Sequence, residues 1–347
     1  MVGHILDYSE NELKVRFEEL NIKPFRANQV LRALFENKDL NDINNIPKAE
    51  KEIIEKNFRL EKTSIVKVQK SKDGTIKFGI ALADGNIIEA VLMEYKYGNT
   101  LCISTQVGCN MGCKFCASTI GGKLRDLTSG EILSQVILVN DYLGGDLKAR
   151  KITNIVLMGC GEPLDNYENV KKFIRQVSDS KYFGISERNI SLSTCGIVEK
   201  IYQLADDGFK LNLTISLHAP NDEIRRKIMP IAKKYSIKEI IKACEYYFEK
   251  TKRRVYFEYA LCDGINTGKD CVEGLANLLK GRVSHINVIN LNAVEGKKLK
   301  GVTSKQAYKF VQDLCDLGMS ATLRRTLGED IDGACGQLRK RIMEEKC

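Results

Sequence analysis

Residues 100–116 read TLCISTQVGCNMGCKFC. The stretch opens as a candidate strand, Thr100–Thr105, and runs into a loop that carries Cys109, Cys113 and Cys116 at C-x3-C-x2-C spacing. Three thiolates this close in sequence can converge on one metal centre. Structural zinc sites normally close with four ligands, commonly as two C-x2-C pairs. Only three cysteines cluster here, so a four-iron, four-sulfur cluster with one iron left open reads better. Ordinary buried cysteines are the bland alternative.

Outward from this loop the chain repeats strand, loop and helix. Candidate strands are Thr100–Thr105, Thr153–Met158, Asn189–Thr194, Leu211–Leu217, Arg254–Ala260 and His285–Leu291. Helical patterns lie between them at Ser129–Leu143, Tyr167–Val177, Glu199–Asp206, Ile237–Glu249 and Gly268–Leu279. Thr128 and Glu131 have capping-box spacing at the first of these. Six such units predict an α/β fold, a parallel sheet curled into a partial (βα)6 TIM-type barrel. Periodicity alone leaves a closed barrel or a doubly wound open sheet as alternatives.

Upstream, residues 1–60 read as a small helical domain. Ser9 and Glu12 form a capping box ahead of Leu13, Phe17 and Leu20, and further helices are expected at Asn28–Phe35 and Lys48–Asn57. Residues 61–98 read as a β-extension of three strands, Ser64–Gln69, Thr75–Ala81 and Asn86–Met93, separated by Asp73-Gly74 and Asp84-Gly85 turns. The barrel is expected to occupy 99–341.

Composition bounds the class. With 347 residues, 43% hydrophobic and 29% charged, the chain is globular, and its apolar runs are far too short for a membrane span. The acidic, polar start does not resemble a signal peptide, so a cytoplasmic location is expected. Twelve cysteines there would not form a disulfide scaffold. The net charge of +9 suits a polyanionic partner, and the excess falls beyond the near-neutral first sixty residues.

Polar residues recur where a barrel would bring them together, at the C-terminal ends of strands. Gly159–Pro163 (GCGEP) follows the second strand; Gly161 permits close backbone approach and Glu162 can accept from a cationic amine. Ser193 ends the third strand, Ser216-Leu217-His218 the fourth, and Asn292 follows the sixth. Singly, each is as readily a cap or turn former as a ligand.

Taken together, VGCNMGCKFC, MGCGEPLDN, ISLSTCG, SLHAPNDEIRRKIMPI and RRTLGEDIDGACGQL resemble the dual-specificity RNA adenine-C2 methyltransferase family (RlmN), a branch of the radical S-adenosylmethionine (SAM) superfamily. The likeness runs from about residue 25 to residue 341. A sister family (Cfr) methylates adenine C8, but typically has Ala where Pro163 stands and Gln-Phe in place of Thr326-Leu327. Two departures from the C2 pattern are Cys160, where Met is usual, and Ala293, where Pro is usual.

The resemblance implies a 4Fe-4S cluster held by Cys109, Cys113 and Cys116. It also implies SAM bound by Gly161, Glu162, Ser193, Ser216, Leu217, His218 and Asn292, with two SAM consumed per turnover. In the family's scheme Cys335 takes a methyl group from one SAM. A 5′-deoxyadenosyl radical from the second abstracts hydrogen from that S-methyl, and the methylene radical adds to adenine C2. Cys102 then resolves the adduct through a transient disulfide, and Glu89 is the proton acceptor. Without the family, Cys102 would be a small buried strand residue and Glu89 an exposed one.

The implied partners are RNA (23S rRNA, and tRNA next to the anticodon) and an electron donor such as flavodoxin or ferredoxin, with the chain acting as a monomer away from membranes. Basic clusters at 225–227, 233–234, 252–254, 297–300 and 339–341 fit a polyanion. Lys23, Arg26 and Arg32 of the first helices are candidate RNA-docking residues. An adenine-C8 methyltransferase, and a non-catalytic RNA-binding protein with a structural metal, are the competing readings.

Overall fold

The structure, a computed structural model, describes residues 3–331 apart from Ala293, Glu295 and Glu329. Three helices open the fold: α1 (Glu10–Glu19), α2 (Arg26–Phe35) and α3 (Lys48–Asn57). The Ser9–Glu12 capping box forms as its spacing requires, and Leu13 and Phe17 are buried. Four antiparallel strands follow, β1 (Ser64–Lys70), β2 (Ile76–Ala81), β3 (Ile87–Tyr95) and β4 (Gly98–Cys102). Gly74 and Gly85 take the positive φ, 90° and 82°, that the two Asp-Gly turns demand.

A two-stranded ribbon, β5 (Gln106–Val107) with β6 (Arg125–Asp126), then frames the cysteine loop. After it come α4 (Ser129–Tyr142), β7 (Ile152–Leu157), α5 (Tyr167–Ser178), β8 (Ile190–Thr194), α6 (Val198–Asp206) and β9 (Asn212–Ser216). The chain continues through α7 (Asp222–Ile228), α8 (Ile237–Thr251), β10 (Val255–Leu261), α9 (Lys269–Leu279), β11 (Ser284–Asn290), α10 (Ser304–Asp316) and β12 (Ala321–Leu323).

Apart from the ribbon, the strands join one sheet in the order β1-β2-β3-β4-β7-β8-β9-β10-β11-β12, parallel from β4 onward. The order never reverses, which excludes the doubly wound alternative. Right-handed crossovers running in one direction put their helices on one face, and the sheet curls. Its curl can be measured. A flat sheet would hold β12 about 24 Å from β7, five spacings of ~4.8 Å. Yet Arg324, just past β12, brings Nη1 to 3.7 Å from the sulfur of Met158, just past β7.

The expected strand Thr100–Thr105 is shifted: β4 starts at Gly98 and stops at Cys102. It stops because the amides of Thr105 and Gln106 both turn to the carbonyl of Cys160 instead of continuing the ladder. The ribbon, α7, α10 and β12 were not anticipated. The first helices do not stand apart from the barrel either. Asp7 caps α4 through the Gly130 amide (2.8 Å), Gln176 donates to the Leu6 carbonyl (2.8 Å), and Phe35 stacks on Tyr182. One apolar core therefore runs from Ile5 to Leu314. Among the described residues no helix is long and apolar enough to cross a membrane.

Candidate active site

The two faces of the curled sheet differ in chemistry. Ile155, Leu157, Leu192, Leu213, Ile215 and Phe257 pack outward and are buried among apolar side chains. Pairing register places the alternate set on the inward face: Cys102 opposite Val156, Val156 opposite Ser191, Ser193 opposite Thr214, and Ser216 opposite Glu258. Strands of a parallel sheet are ordinarily apolar on both faces. This one keeps a polar interior.

The same register extends into the antiparallel strands. Lys77 lies opposite Val91, and Val91 opposite Cys102, so Lys77, Glu89 and Cys102 share the inward face. Glu89 is not the exposed strand residue that its sequence context suggested. It is buried, and its carboxylate lies 3.1 Å from the ammonium of the fully buried Lys77. Both are removed from water, Lys77 on β2 and Glu89 on the adjacent β3.

The cysteine loop sits over the carboxyl ends of these strands. Gly108 (φ 83°) lets it fold back tightly, since a Cβ there would lie 1.9 Å from the Gly122 carbonyl. Asn110 accepts from the Lys123 amide, and the Lys114 amide donates to the Ile228 carbonyl at the end of α7. Cys109, Cys113 and Cys116 thereby border a cavity of about 240 Å³, together with Gly161, Glu162, Ser193, Ser216 and His218. Burial pushes the Cys109 thiol up to about 12 and raises Cys113 as well. Thiolates here need a positive centre beside them.

Glu162 is held by the backbone. Its two carboxylate oxygens accept from the amides of Leu164 (3.0 Å) and Cys195 (2.7 Å), while burial pulls its pKa upward. Gly161 is required beneath it, because a Cβ would meet the Gln106 side chain at 2.7 Å. His218, with a left-handed backbone (φ 56°), is similarly fixed: Nδ1 accepts from the Ala260 amide at 2.9 Å. That bond leaves the ring proton on Nε2. Burial, helped by the Arg225 charge, depresses its pKa to about 3, so the ring is neutral, and it meets Phe115 of the cysteine loop edge-on.

Three residues picked out by sequence do not border the cavity. Leu217 is fully buried and does not border the cavity; its amide donates to the Glu258 carbonyl. Asn292 lies past the end of β11 and is exposed, while Leu291 takes the cavity position. Arg225, grouped by sequence with a phosphate-binding run, is fully buried. Sequence reasoning also missed Glu258 and Arg324. Glu258 borders the cavity, lies 3.5 Å from the Ser193 hydroxyl and pairs with Arg324 at 2.7 Å. Its period-2 position in the Arg254–Ala260 pattern was the available signal. Cys335 lies outside the described residues.

A model of the radical SAM superfamily matches residues 103–279. The chain is 49% identical over 339 residues to a probable dual-specificity RNA methyltransferase RlmN of Clostridium botulinum, covering 97% of this chain and 96% of that protein. A Clostridium acetobutylicum protein of the same name is 48% identical over 344 residues, covering 99% and 98%. The chain belongs to the RlmN family of radical SAM RNA methyltransferases. Its structure also superposes on a radical SAM methyltransferase from Sphaerobacter thermophilus with a TM-score of 0.90 at 36% identity, covering 96% of this chain and 98% of the other.

RlmN membership makes the chain a SAM-dependent methyltransferase, and it implies a 4Fe-4S cluster, SAM and an RNA substrate. The donor set fits such a cluster. Three cysteines border one cavity, where burial raises the thiol pKa of Cys109 and Cys113, with no fourth cysteine in the loop to close a zinc site. Among the described residues no three His, Cys, Asp or Glu side chains close on a single metal ion.

Basic residues divide into two sets. Arg226, Lys227, Lys233 and Lys234 are exposed on the segment packed against the cysteine loop, and Lys297 donates to Thr119 within that loop. Lys252, Arg253 and Arg254 instead precede β10, at the opposite end of the strands from the cavity. In the first helices Arg26 pairs with Glu50 and Arg32 donates to the Lys181 carbonyl, so both are engaged within the fold.

Proposed function

We propose that the enzyme methylates C2 of adenine in RNA, with Cys335 as methyl carrier, Cys102 as resolving thiol and Glu89 as proton acceptor. One observation carries this reading: Cys102 and Glu89 share the inward face of the sheet whose mouth holds the three-cysteine cavity. Adenine C2 is an electron-poor amidine carbon and does not attack a sulfonium methyl as a nucleophile. When bound, the cluster and SAM supply reductive one-electron cleavage, the radical source that polar chemistry lacks.

The chain's residues do the rest. Cys109, Cys113 and Cys116 hold the cluster. Glu162, held by two amides, accepts from the SAM ammonium, and Ser193, Ser216 and His218 orient the cofactor. Cys335 receives a methyl group, loses one hydrogen atom from it and forms the carbon–carbon bond to C2. Glu89 takes the proton from C2, with Lys77 fixing the carboxylate. Cys102 attacks the sulfur of Cys335, so an S–S bond forms as the C–S bond breaks; the freed carbon takes the Cys102 thiol proton to complete the methyl group, and the remaining unpaired electron passes back to the one-electron carrier. Two SAM are used per turnover, one as methyl donor and one as radical source, and a flavodoxin or ferredoxin supplies the electron.

The substrate adenine must be unstacked to reach a buried cavity, which suits a loop or flipped nucleotide in 23S rRNA or beside a tRNA anticodon. The exposed basic rim beside the cysteine loop receives phosphates, and Lys23 of the first helices adds a second contact. Pro163 and Thr326-Leu327 favour C2 over C8. Replacing Cys335 with Ala should abolish RNA methylation with iron content unchanged, and mass mapping against 2-methyl- and 8-methyladenosine standards identifies the carbon. Retained C2 methylation in that variant rejects the mechanism, and an 8-methyl product rejects the assigned position.

A further inference from the structure

Arg225 is the fully buried arginine of α7. Its Nε donates to the Leu217 carbonyl (3.2 Å), and Nη2 donates to the carbonyls of Cys195 (2.6 Å) and Ser216 (3.2 Å). Among the described residues it makes no ion pair, and Nη1 is buried without a hydrogen-bond partner. Carbonyls satisfy donors but do not cancel a charge. A guanidinium in this state costs several kcal/mol unless an anion lies nearby.

Its surroundings indicate which anion. Asp222, on the same helix, accepts from the Ile237 amide, and Glu162 and Arg225 both bind the backbone of Cys195, whose N–H donates to Glu162 while its carbonyl accepts from Arg225. Neither carboxylate touches the guanidinium. The helix that carries Arg225 packs on the cysteine loop: the Lys114 amide bonds the Ile228 carbonyl, and Gly112 lies against Pro230. Cys195, whose carbonyl Arg225 holds at 2.6 Å, borders the same cavity as Cys113. Arg225 does not itself border the cavity. It stands one layer behind, as a fixed charge.

We propose that Arg225 is the buried counter-charge of the cluster site, a positioning residue that raises the reduction potential of a cluster held by Cys109, Cys113 and Cys116. A cluster with three thiolates is net anionic and becomes more so on accepting an electron, so a fixed cation in a poorly polarisable wall favours the reduced state. The inference rests on the assignment of the cluster to those three cysteines, and it is independent of which RNA carbon is methylated.

The test is a potentiometric titration, read by electron paramagnetic resonance, of the full chain reconstituted with iron and sulfide under exclusion of oxygen. Arg225→Met and Arg225→Gln should lower the reduced-to-oxidised ratio at a fixed potential at least tenfold, equivalent to about 59 mV for a one-electron couple. Arg225→Lys keeps the charge and should stay within threefold of the unmodified chain. Neutral variants within twofold overturn the proposal, as does an equal shift in all three, which would reflect the lost carbonyl contacts. Failure of both neutral variants to take up iron while Arg225→Lys loads supports it, and failure of all three overturns it. An unmodified chain that binds no iron would instead sink the cluster assignment.

Discussion

Charge is buried in two ways in this molecule. In the β-extension, Lys77 and Glu89 are sealed from water 3.1 Å apart on adjacent strands, each the other's counter-ion. At the barrel mouth, Glu162 and Arg225 are as deeply buried, yet they bind different backbone groups of Cys195, its N–H and its carbonyl. A paired charge spends its field on its partner. A charge solvated by peptide dipoles keeps its field for whatever enters the site. The difference separates a region where burial orients one carboxylate from a region whose buried charges face a net-anionic cluster and the ammonium of SAM.

The contrast predicts opposite consequences for stability and activity. Cys113→Ala should remove iron and bring RNA methylation below detection, while shifting the urea midpoint of the apoprotein by less than about 1 kcal/mol, because a small half-buried thiol is lost. A large loss of folding stability with iron retained would erase the distinction. Lys77→Met should do the reverse to folding, costing about 3–5 kcal/mol by stranding the Glu89 carboxylate. Adding Glu89→Leu should recover part of that loss in the same urea measurement, and no recovery would mean that the pair is not what the burial supports.

pH sharpens the comparison further. His218 has its pKa depressed to about 3, so its contribution to stability is present above the ordinary histidine value and is lost as pH falls towards 3. Between pH 6.5 and 5 the unfolding free energy should drop by up to about 1.4 kcal/mol per pH unit from this group, and His218→Gln should flatten the slope. The smallest effect belongs to the β1–β2 turn, where Asp73 accepts from the Gly328 amide at 2.8 Å. Burial alone would raise its pKa, but the amides of Gly328 and Thr75 overcome this and hold it at about 2. Its contribution is therefore constant above the ordinary carboxylate range and lost as pH falls through about 2. Asp73→Ala should cost ~0.5–1 kcal/mol in a thermal melt at neutral pH.

Much of the fold was legible in the sequence because local rules reinforce one another. The capping boxes at Ser9–Glu12, Thr128–Glu131 and the Asp-Gly turns sit where their spacing required. Lys48–Asn57 matches α3 residue for residue. Two of the elements that escaped had weak local signals, since β12 is only three residues long and α7 is seven residues whose charge run resembled a solvated face. By contrast, α10 carries a Thr303–Gln306 capping box that was there to be read. In the site, Gly161, Glu162, Ser193, Ser216 and His218 were all found at one cavity with the cysteines, because strand ends converge in a curled parallel sheet. Asn292 and Leu217 were not, since position at a strand end does not say which way a side chain turns.

The sequence alone determined the repeating strand–helix units, the cysteine spacing and the alternation that divides each strand into two faces. It could not say which face turns inward, nor that Glu89 would be buried against Lys77. Those outcomes depend on strand order and curl, which arise from packing between distant elements. Arg225 is the sharpest instance. In the sequence it is one of three consecutive basic residues, 225–227, and only the helix packed on the cysteine loop makes it the one removed from water.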